Sequence, residues 1–169
     1  MVQHGSSIRE KPVTDCRRLL VTGGAGFIGA NFVHYWLRRH PLDHIVVLDA
    51  LTYVGNLPSL ASVQSKPNFH LVRGDIRDRT LVDILLREHA INTIVHFAAE
   101  SHVDRSIIGP ETFIQTNVLG TFTLLEATRA CWIGTSVASP STYRYTCRFH
   151  HVSTDEVYGS LGPEDPAFT

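Results

Sequence analysis

The sequence has 169 residues, of which 15 are Lys or Arg and 16 are Asp or Glu, so the formal net charge is −1. This balance excludes an electrostatic basis for binding nucleic acid or an anionic membrane surface. The length is sufficient for one domain with a sizeable core, but not for two. The longest apolar runs have the length of strands, so no segment is expected to span a membrane.

The three cysteines, Cys16, Cys131 and Cys147, lie far apart and form no CxxC pair. Their odd number and their spacing argue against a disulfide framework or a zinc site, and they favour a reducing, cytoplasmic location. The ten histidines show no compact ligand spacing, so we predict structural or surface roles for them and no metal site. Residues 1–17 are polar, lack the apolar core of a signal peptide and are expected to form a flexible leader.

Strand-like and helix-like segments alternate along the rest of the chain. Apolar runs of strand length predict strands, and apolar residues at helical spacing predict helices. Residues 98–106 and 134–147 are small or polar and are expected to form loops. The predicted strands span 18–23, 45–49, 69–73, 92–97 and 148–153, and the predicted helices span 27–39, 81–88 and 111–132. This alternation indicates an α/β fold, a Rossmann-type doubly wound parallel sheet with right-handed crossovers.

A glycine pattern lies between the first strand and the first helix. Gly23, Gly26 and Gly29 are spaced three residues apart. Gly23 would allow a tight turn, Gly26 would let a pyrophosphate approach the backbone, and Gly29 would let the helix pack closely on the strand. The free N–H groups of the helix N-terminus would then hold the phosphate. The alternative is a strand-to-helix turn that binds no ligand.

An acidic residue, Asp49, ends the second predicted strand, twenty residues after Gly29. A carboxylate at this place can accept hydrogen bonds from the adenosine ribose hydroxyls and repels a 2′-phosphate, so it favours NAD over NADP. Asp75, the 98–106 loop and the 154–159 turn also follow predicted strands. Because parallel strands end at one edge of the sheet, these segments are expected to form a common ligand site there.

Several motifs together are similar to one known family. They are Thr22-Gly23-Gly24-Ala25-Gly26-Phe27-Ile28-Gly29, Asp49-Ala50-Leu51-Thr52-Tyr53, Gly74-Asp75-Ile76, the stretch from His96 to Ser106, Thr116-Asn117-Val118-Leu119-Gly120-Thr121, and the stretch from Phe149 to Gly159. The chain resembles the dTDP-glucose 4,6-dehydratases, which belong to the nucleotide-sugar branch of the extended short-chain dehydrogenases/reductases. The resemblance covers about residues 18–162, with 134–147 as a poorly matching exception. The most specific part is the Thr-Asp-Glu triplet at 154–156.

The resemblance implies an NAD cofactor, a nucleotide-sugar substrate and a role for each matching residue. Thr154 would orient the sugar near C4, Asp155 would be the general acid and Glu156 the general base. On the cofactor side it implies Gly23, Gly26, Phe27, Ile28 and Gly29 for the pyrophosphate turn, Asp49 for the ribose, Asp75 and Ile76 for the adenine, Ala98, Ala99 and Ser101 for the nicotinamide side, and Asn117 as a supporting helix residue.

The implied reaction is loss of water across C5 and C6 of the hexose, a carbon–oxygen lyase reaction of deoxysugar biosynthesis. Oxidation at C4 makes the C5 proton removable by a carboxylate, while a carboxylic acid protonates the departing C6 hydroxyl. Two adjacent carboxyl groups suit these divided roles. Without the resemblance, the spacing of Asp155 and Glu156 favours an acidic turn that caps the edge of the sheet.

One part of the family pattern is not found in the sequence. The family's first step uses a tyrosine with a lysine four residues later, but Ser7 and Ser62 precede Lys11 and Lys66 at that spacing. We therefore expect residues 18–169 to be an incomplete NAD-binding domain, without the Tyr-Lys helix and the C-terminal substrate domain, that does not turn over alone. The full-length protein is expected to be a homodimer. Two alternatives remain: a UDP-sugar epimerase or decarboxylase of the same branch, and a non-catalytic dinucleotide-binding module.

Overall fold

A computed structural model describes residues 16–52, 55–133 and 147–167. The expectations for most of the leader and for most of the 134–147 loop therefore lie outside the described residues. Residue 17, which was expected to belong to the leader, is part of the fold. Arg17 donates its N–H to Asp43 Oδ1 at 2.9 Å, and its carbonyl accepts the His44 N–H at 2.8 Å, which extends the ladder between the first two strands by one bond.

Five strands form one parallel sheet in the order β3-β2-β1-β4-β5. The predicted doubly wound sheet is confirmed, and each strand lies within two residues of its predicted bounds. Chain order reverses beside β1, which lies between β2 and β4, and this is where such sheets bind ligands. The strands are β1 Arg18–Thr22, β2 His44–Asp49, β3 Phe69–Arg73, β4 Thr93–His96 and β5 Arg148–His151.

The helices cover both faces of this sheet. A helix α1 (Phe27–Arg39) lies on one face, and α2 (Arg79–Glu88) and α5 (Thr121–Trp132) pack on the other. The alternating direction of side chains in β1 divides the core accordingly. Leu19 packs in the cluster that contains Val33 of α1, whereas Leu20 packs in the cluster that contains Leu86 and Leu124.

Local sequence explains where several elements begin. The Asp78 side chain accepts the Leu81 N–H at 3.0 Å and caps α2. A short 3₁₀ turn, Leu57–Leu60, was not predicted from the sequence, and its Leu60 is fully buried beneath α1. Within the described residues, no helix is long and apolar enough to cross a membrane.

The loop prediction for 98–106 is only partly correct. A short helix α3 (Val103–Ile108) begins after His102, whose carbonyl accepts the Arg105 and Ser106 N–H groups. The predicted helix 111–132 is continuous but not uniform. It comprises α4 (Pro110–Phe113), a π-helical segment (Ile114–Gly120) and α5. Apolar periodicity does not separate π from α geometry over one or two turns, so this segment could not be predicted from the sequence.

Candidate dinucleotide site

The turn after β1 is packed so tightly that its first glycine cannot be replaced without strain. Gly23 has a φ of +68° and donates its N–H to the Leu48 carbonyl at 3.0 Å. A Cβ on Gly23 would lie 2.6 Å from the Ala98 backbone nitrogen. Glycine is therefore required here both for its left-handed conformation and for the close approach of the β1 turn to the end of β4.

The other glycines divide between packing and open space. A Cβ on Gly29 would overlap the Gly23 carbonyl oxygen, so Gly29 lets α1 start directly against the turn. A Cβ on Gly26 would meet only the Gly23 carbonyl oxygen, at 3.3 Å, which leaves the space in front of the turn open. Gly24 was not among the predicted site residues, yet its Cβ would lie 2.8 Å from Val47 Cγ1. The sequence signal that could have indicated Gly24 is its position as the second residue of the Gly23-Gly24 pair.

The N-terminus of α1 faces this open space with exposed residues. Gly26 is its N-cap and makes no side-chain capping bond, and the Ala30 N–H donates to the Gly26 carbonyl at 2.9 Å. Phe27 and Ile28 are 86% and 62% exposed. Helical geometry gives the first N–H groups of α1 no partner within the helix, and the helix dipole favours an anion at this end. The turn can thus bind a phosphate through backbone groups.

Asp49 joins the loop after β2 to the glycine turn. Its Oδ2 accepts the Ala25 N–H at 2.8 Å, and its Oδ1 accepts the Leu51 N–H at 2.8 Å. The Asn56 N–H in turn donates to the Ala25 carbonyl at 3.0 Å. Each carboxylate oxygen has a further lone pair, so Asp49 can hold the turn and still accept a hydroxyl from a ligand.

Asp75 and Ile76 differ in what they can offer a ligand. The Asp75 carboxylate is 39% exposed and forms an ion pair with Arg77 Nη2 at 2.7 Å. The hydrogen bonds from the Arg77 side chain hold the pKa of Asp75 below its usual value, although partial burial opposes this. The Ile76 side chain is buried against Gly120, so only its backbone is available to a ligand.

The loop after β4 is held by the π-helical segment. Asn117 Oδ1 accepts the Glu100 N–H at 2.8 Å, and Asn117 Nδ2 donates to the Glu100 carbonyl at 2.8 Å. These two bonds position the backbone between Ala99 and Ser101, which the sequence analysis placed on the nicotinamide side. Single-turn π segments occur often at functional sites, because the wider turn redirects side chains.

The Thr-Asp-Glu triplet follows the neighbouring strand at the same edge. The Val152 N–H donates to the His96 carbonyl at 3.1 Å, so the chain leaves β5 beside the end of β4. Thr154 caps a 3₁₀ turn, Asp155–Tyr158, and its Oγ1 lies 3.4 Å from both the Glu156 nitrogen and Asp155 Oδ1. All three side chains are exposed. Their carboxylates are accessible to a substrate from this edge.

A cavity in the described part of the chain lies away from this edge. It has a volume of about 430 Å³, lies between α5 and β5 and is lined by residues that include Leu125, Trp132, Cys147 and Phe149. None of the predicted site residues lines it. Among the described residues, no three His, Cys, Asp or Glu side chains are grouped closely enough to hold a metal ion.

His96 is the one histidine that is fully buried in the described part of the chain. Nδ1 lies 2.6 Å from Thr22 Oγ1, and Nε2 lies 3.0 Å from Thr121 Oγ1. The ring is 1% exposed, and its centroid is 5.1 Å from that of His151. Burial lowers the pKa of His96 to about 4, and the nearby His151 contributes in the same direction. The structural role predicted for the histidines holds here, but the sequence did not indicate the two threonine partners.

A parallel sheet of this order, with a glycine turn beside its switch point and an acidic residue ending β2, defines a Rossmann-type dinucleotide-binding fold. The family model described as GDP-mannose 4,6 dehydratase matches residues 20–168, and the chain belongs to this family.

The relatives include dTDP-glucose 4,6-dehydratase from Mycobacterium tuberculosis, which is 53% identical over 150 residues, covering 89% of this chain and 40% of the relative. The crystal structure of dTDP-glucose 4,6-dehydratase from Bacillus anthracis in complex with NAD aligns with a TM-score of 0.74 and 42% identity over 91% of this chain and 42% of that chain. The crystal structure of UDP-glucose 4-epimerase from Thermus thermophilus in complex with NAD aligns with a TM-score of 0.59 and 36% identity, over 68% of this chain and 34% of that chain. The chain spans about 40% of the length of the curated relatives it matches.

The buried His96 predicts a pH dependence of stability. Unfolded His96 has an ordinary pKa near 6.5, whereas the folded group stays neutral down to about pH 4. The unfolded state therefore binds more protons in this window, and the free energy of unfolding should fall by about 3 kcal/mol as the pH drops from 6.5 to 4. Urea unfolding at a series of pH values measures this. His96→Asn should remove the extra slope, whereas His150→Asn, on the exposed side of β5, should keep it. Parallel curves for the wild type and His96→Asn would contradict the assignment.

Proposed function

We propose that this chain provides the NAD-binding part of a nucleotide-sugar 4,6-dehydratase that converts dTDP-glucose to dTDP-4-keto-6-deoxyglucose. The observation that carries the proposal is the joining of Asp49 to the glycine turn through the Ala25 N–H. This bond places a carboxylate beside an anion-binding helix N-terminus, as a dinucleotide with a free ribose 2′-hydroxyl requires. The relatives named dTDP-glucose 4,6-dehydratase support the choice of sugar nucleotide.

The cofactor roles follow from where each group lies. The glycine turn and the N-terminus of α1 hold the pyrophosphate, Asp49 accepts the adenosine ribose hydroxyls, and Asp75 with the Ile76 backbone contacts the adenine. On the other side of the switch point, the loop with Ala98, Ala99 and Ser101 lines the nicotinamide, and Asn117 holds that loop through Glu100. When bound, NAD would supply the hydride acceptor for C4 of the sugar and the hydride donor for C6, and the C4 hydroxyl proton would pass to the tyrosine that the family's first step uses.

The chain's own groups act on protons. Thr154 orients the sugar near C4, Glu156 removes the C5 proton, and Asp155 gives a proton to the departing C6 hydroxyl. Adjacent positions on one 3₁₀ turn suit two carboxyl groups that act on the neighbouring carbons C5 and C6 of one sugar. Both are exposed, so the desolvation that makes such groups effective must come from the bound sugar and from the surface that covers it.

An epimerase or decarboxylase of the same branch is the second candidate. The dehydratase structure from Bacillus anthracis aligns over 91% of this chain, against 68% for the Thermus thermophilus epimerase. Together with the Asp155-Glu156 pair, this difference supports the dehydratase. The third candidate, a non-catalytic dinucleotide-binding module, shares the cofactor site and differs only in turnover.

We further propose that the protein is a cytoplasmic homodimer. An exposed apolar stripe runs along the π-helical segment and α5, consisting of Ile114, Val118, Phe122 and Leu125, which are 55%, 55%, 59% and 47% exposed. The four residues follow one another at intervals of three or four, so they lie on one helical face. Pairing with the same face of a second copy would remove this area from water.

Replacing Asp49 should change the affinity of the chain for NAD relative to NADP. Calorimetric titration of the chain should show NAD bound more tightly than NADP. Asp49→Asn should weaken NAD binding about tenfold or more and reduce the preference over NADP, because an amide lacks the charge that repels a 2′-phosphate and presents a donor to ligand and backbone. Asp83→Asn, which removes a carboxylate paired with Arg79 on the surface of α2, is the matched control. Equal affinity of wild type and Asp49→Asn for NAD would contradict the role of Asp49.

Dehydration can be tested in a chimera in which this chain replaces the matching segment of the Mycobacterium tuberculosis relative. The chimera should form the 4-keto-6-deoxy sugar from dTDP-glucose. Asp155→Asn and Glu156→Gln should each lower kcat by about 10²- to 10⁴-fold without loss of NAD binding, because each removes one proton-transfer group. The isolated chain should bind NAD without forming product. A chimera that binds NAD but yields an epimerised sugar would favour the second candidate, and one that yields no new sugar would favour the third.

Charge within the apolar stripe should abolish association. Sedimentation velocity should show the wild-type chain as a dimer and Phe122→Asp as a monomer, because a carboxylate would be buried without a partner in the paired face. Tyr35→Asp introduces the same charge at a 51% exposed position of α1 and should leave the dimer intact. A wild-type chain that stays monomeric at micromolar concentration would refute the proposed interface.

A further inference from the structure

His96 makes directional contacts with two elements that flank the proposed cofactor site. Thr22 is the last residue of β1 and directly precedes the Gly23 turn. Thr121 is the first residue of α5 and directly follows the π-helical segment. The imidazole lies between their hydroxyl groups, with 2.6 Å to Thr22 and 3.0 Å to Thr121. One side chain on β4 therefore connects the end of β1 to the start of α5.

A second contact of the Thr22 hydroxyl favours one tautomer of the His96 ring. Thr22 Oγ1 accepts the Ala98 N–H at 3.4 Å. Among the described contacts, the Thr22 hydroxyl proton finds an acceptor when His96 Nδ1 is unprotonated. His96 then carries its proton on Nε2 and donates it to Thr121 Oγ1. The order of donation is thus Ala98 N–H to Thr22, Thr22 O–H to His96, and His96 N–H to Thr121. Such a chain has one polarity, and each bond in it strengthens its neighbours.

These three bonds connect the parts of the site that must keep a constant separation. The Gly23 turn packs on the Ala98 backbone, and Ala98 starts the loop that Asn117 holds from the π-helical segment. An apolar side chain could fill the volume of His96, but it could not fix the orientation of two threonines. Burying an imidazole is unfavourable unless its polar atoms are bonded, so the histidine is better explained by orientation than by packing.

We propose that His96 is a positioning residue for NAD, which sets the separation between the glycine turn and the π-helical segment through Thr22 and Thr121. The inference rests on the proposed NAD binding. His96 touches neither the cofactor nor the sugar. It holds the two sides of the cofactor site at the separation that the pyrophosphate and the nicotinamide need. Less conformational entropy is therefore lost when NAD binds.

The test removes one hydroxyl and leaves the ring in place. Thr121→Val replaces the hydroxyl by a methyl group of similar size, and it should raise the NAD dissociation constant about fivefold, as expected for one lost hydrogen bond. Thr121→Ser restores the hydroxyl and should return the constant to within about twofold of the wild type. Thr123→Val, on the same helix, removes an exposed hydroxyl that bonds the Leu119 carbonyl and should leave the constant unchanged. Affinities are measured by calorimetry at a temperature where all variants are fully folded.

A second readout needs no cofactor. The ring ¹⁵N chemical shifts of His96 at neutral pH should show a protonated Nε2 and an unprotonated Nδ1. The opposite tautomer would overturn the order of donation on which the inference depends.

The outcomes separate this inference from the proposed function. A Thr121→Val chain that melts at a lower temperature but binds NAD as tightly as the wild type would show that the contact serves the core only, and it would overturn the inference alone. A wild-type chain that binds no NAD would overturn the proposed function and the inference with it.

Discussion

The close approach of the Gly23 turn to Ala98 is the contact on which the rest of the site depends. A Cβ at Gly23 would lie 2.6 Å from the Ala98 nitrogen, so the end of β1 and the end of β4 meet backbone to backbone. That approach places the start of α1 beside the switch point of the sheet. It also lets Thr22 accept the Ala98 N–H, which brings the buried His96 into contact with the turn. The glycine turn, the loop after β4 and the histidine therefore depend on one another.

Asp49 shows how a group proposed to bind the ligand can also maintain the structure. Both of its oxygens accept backbone N–H groups from the loops on either side of it, so the orientation of its carboxylate is set before any ligand arrives. A rigid carboxylate with spare lone pairs can accept hydrogen bonds from ribose hydroxyls with little further loss of conformational entropy. Asp75 differs, because its charge is balanced by Arg77 on an exposed stretch.

Much of the fold was predictable because its signals are local. Apolar runs, helical spacing of apolar residues and the glycine pattern identify the strands and helices, and the alternation of these elements predicts the parallel sheet and its binding edge. Contacts between distant residues were not predictable in the same way. The bonds of His96 to Thr22 and Thr121 span 74 and 25 residues, and nothing near His96 in the sequence indicates either partner. The π-helical segment was not predicted, because one extra residue in a turn hardly alters apolar periodicity.

The candidate site has two parts that differ in burial and in hydrogen bonding. On the cofactor side, Asp49, Asn117 and His96 are bonded and at least half buried, so its geometry is determined by the described residues. On the sugar side, Asp155 and Glu156 lie on an exposed turn beyond a strand whose residues are also mostly exposed. General acids and bases act best where water is excluded. Cofactor binding should therefore depend on residues within this domain, whereas turnover should depend on whatever surface covers the 154–156 turn. The isolated chain and the chimera measure these two dependences separately.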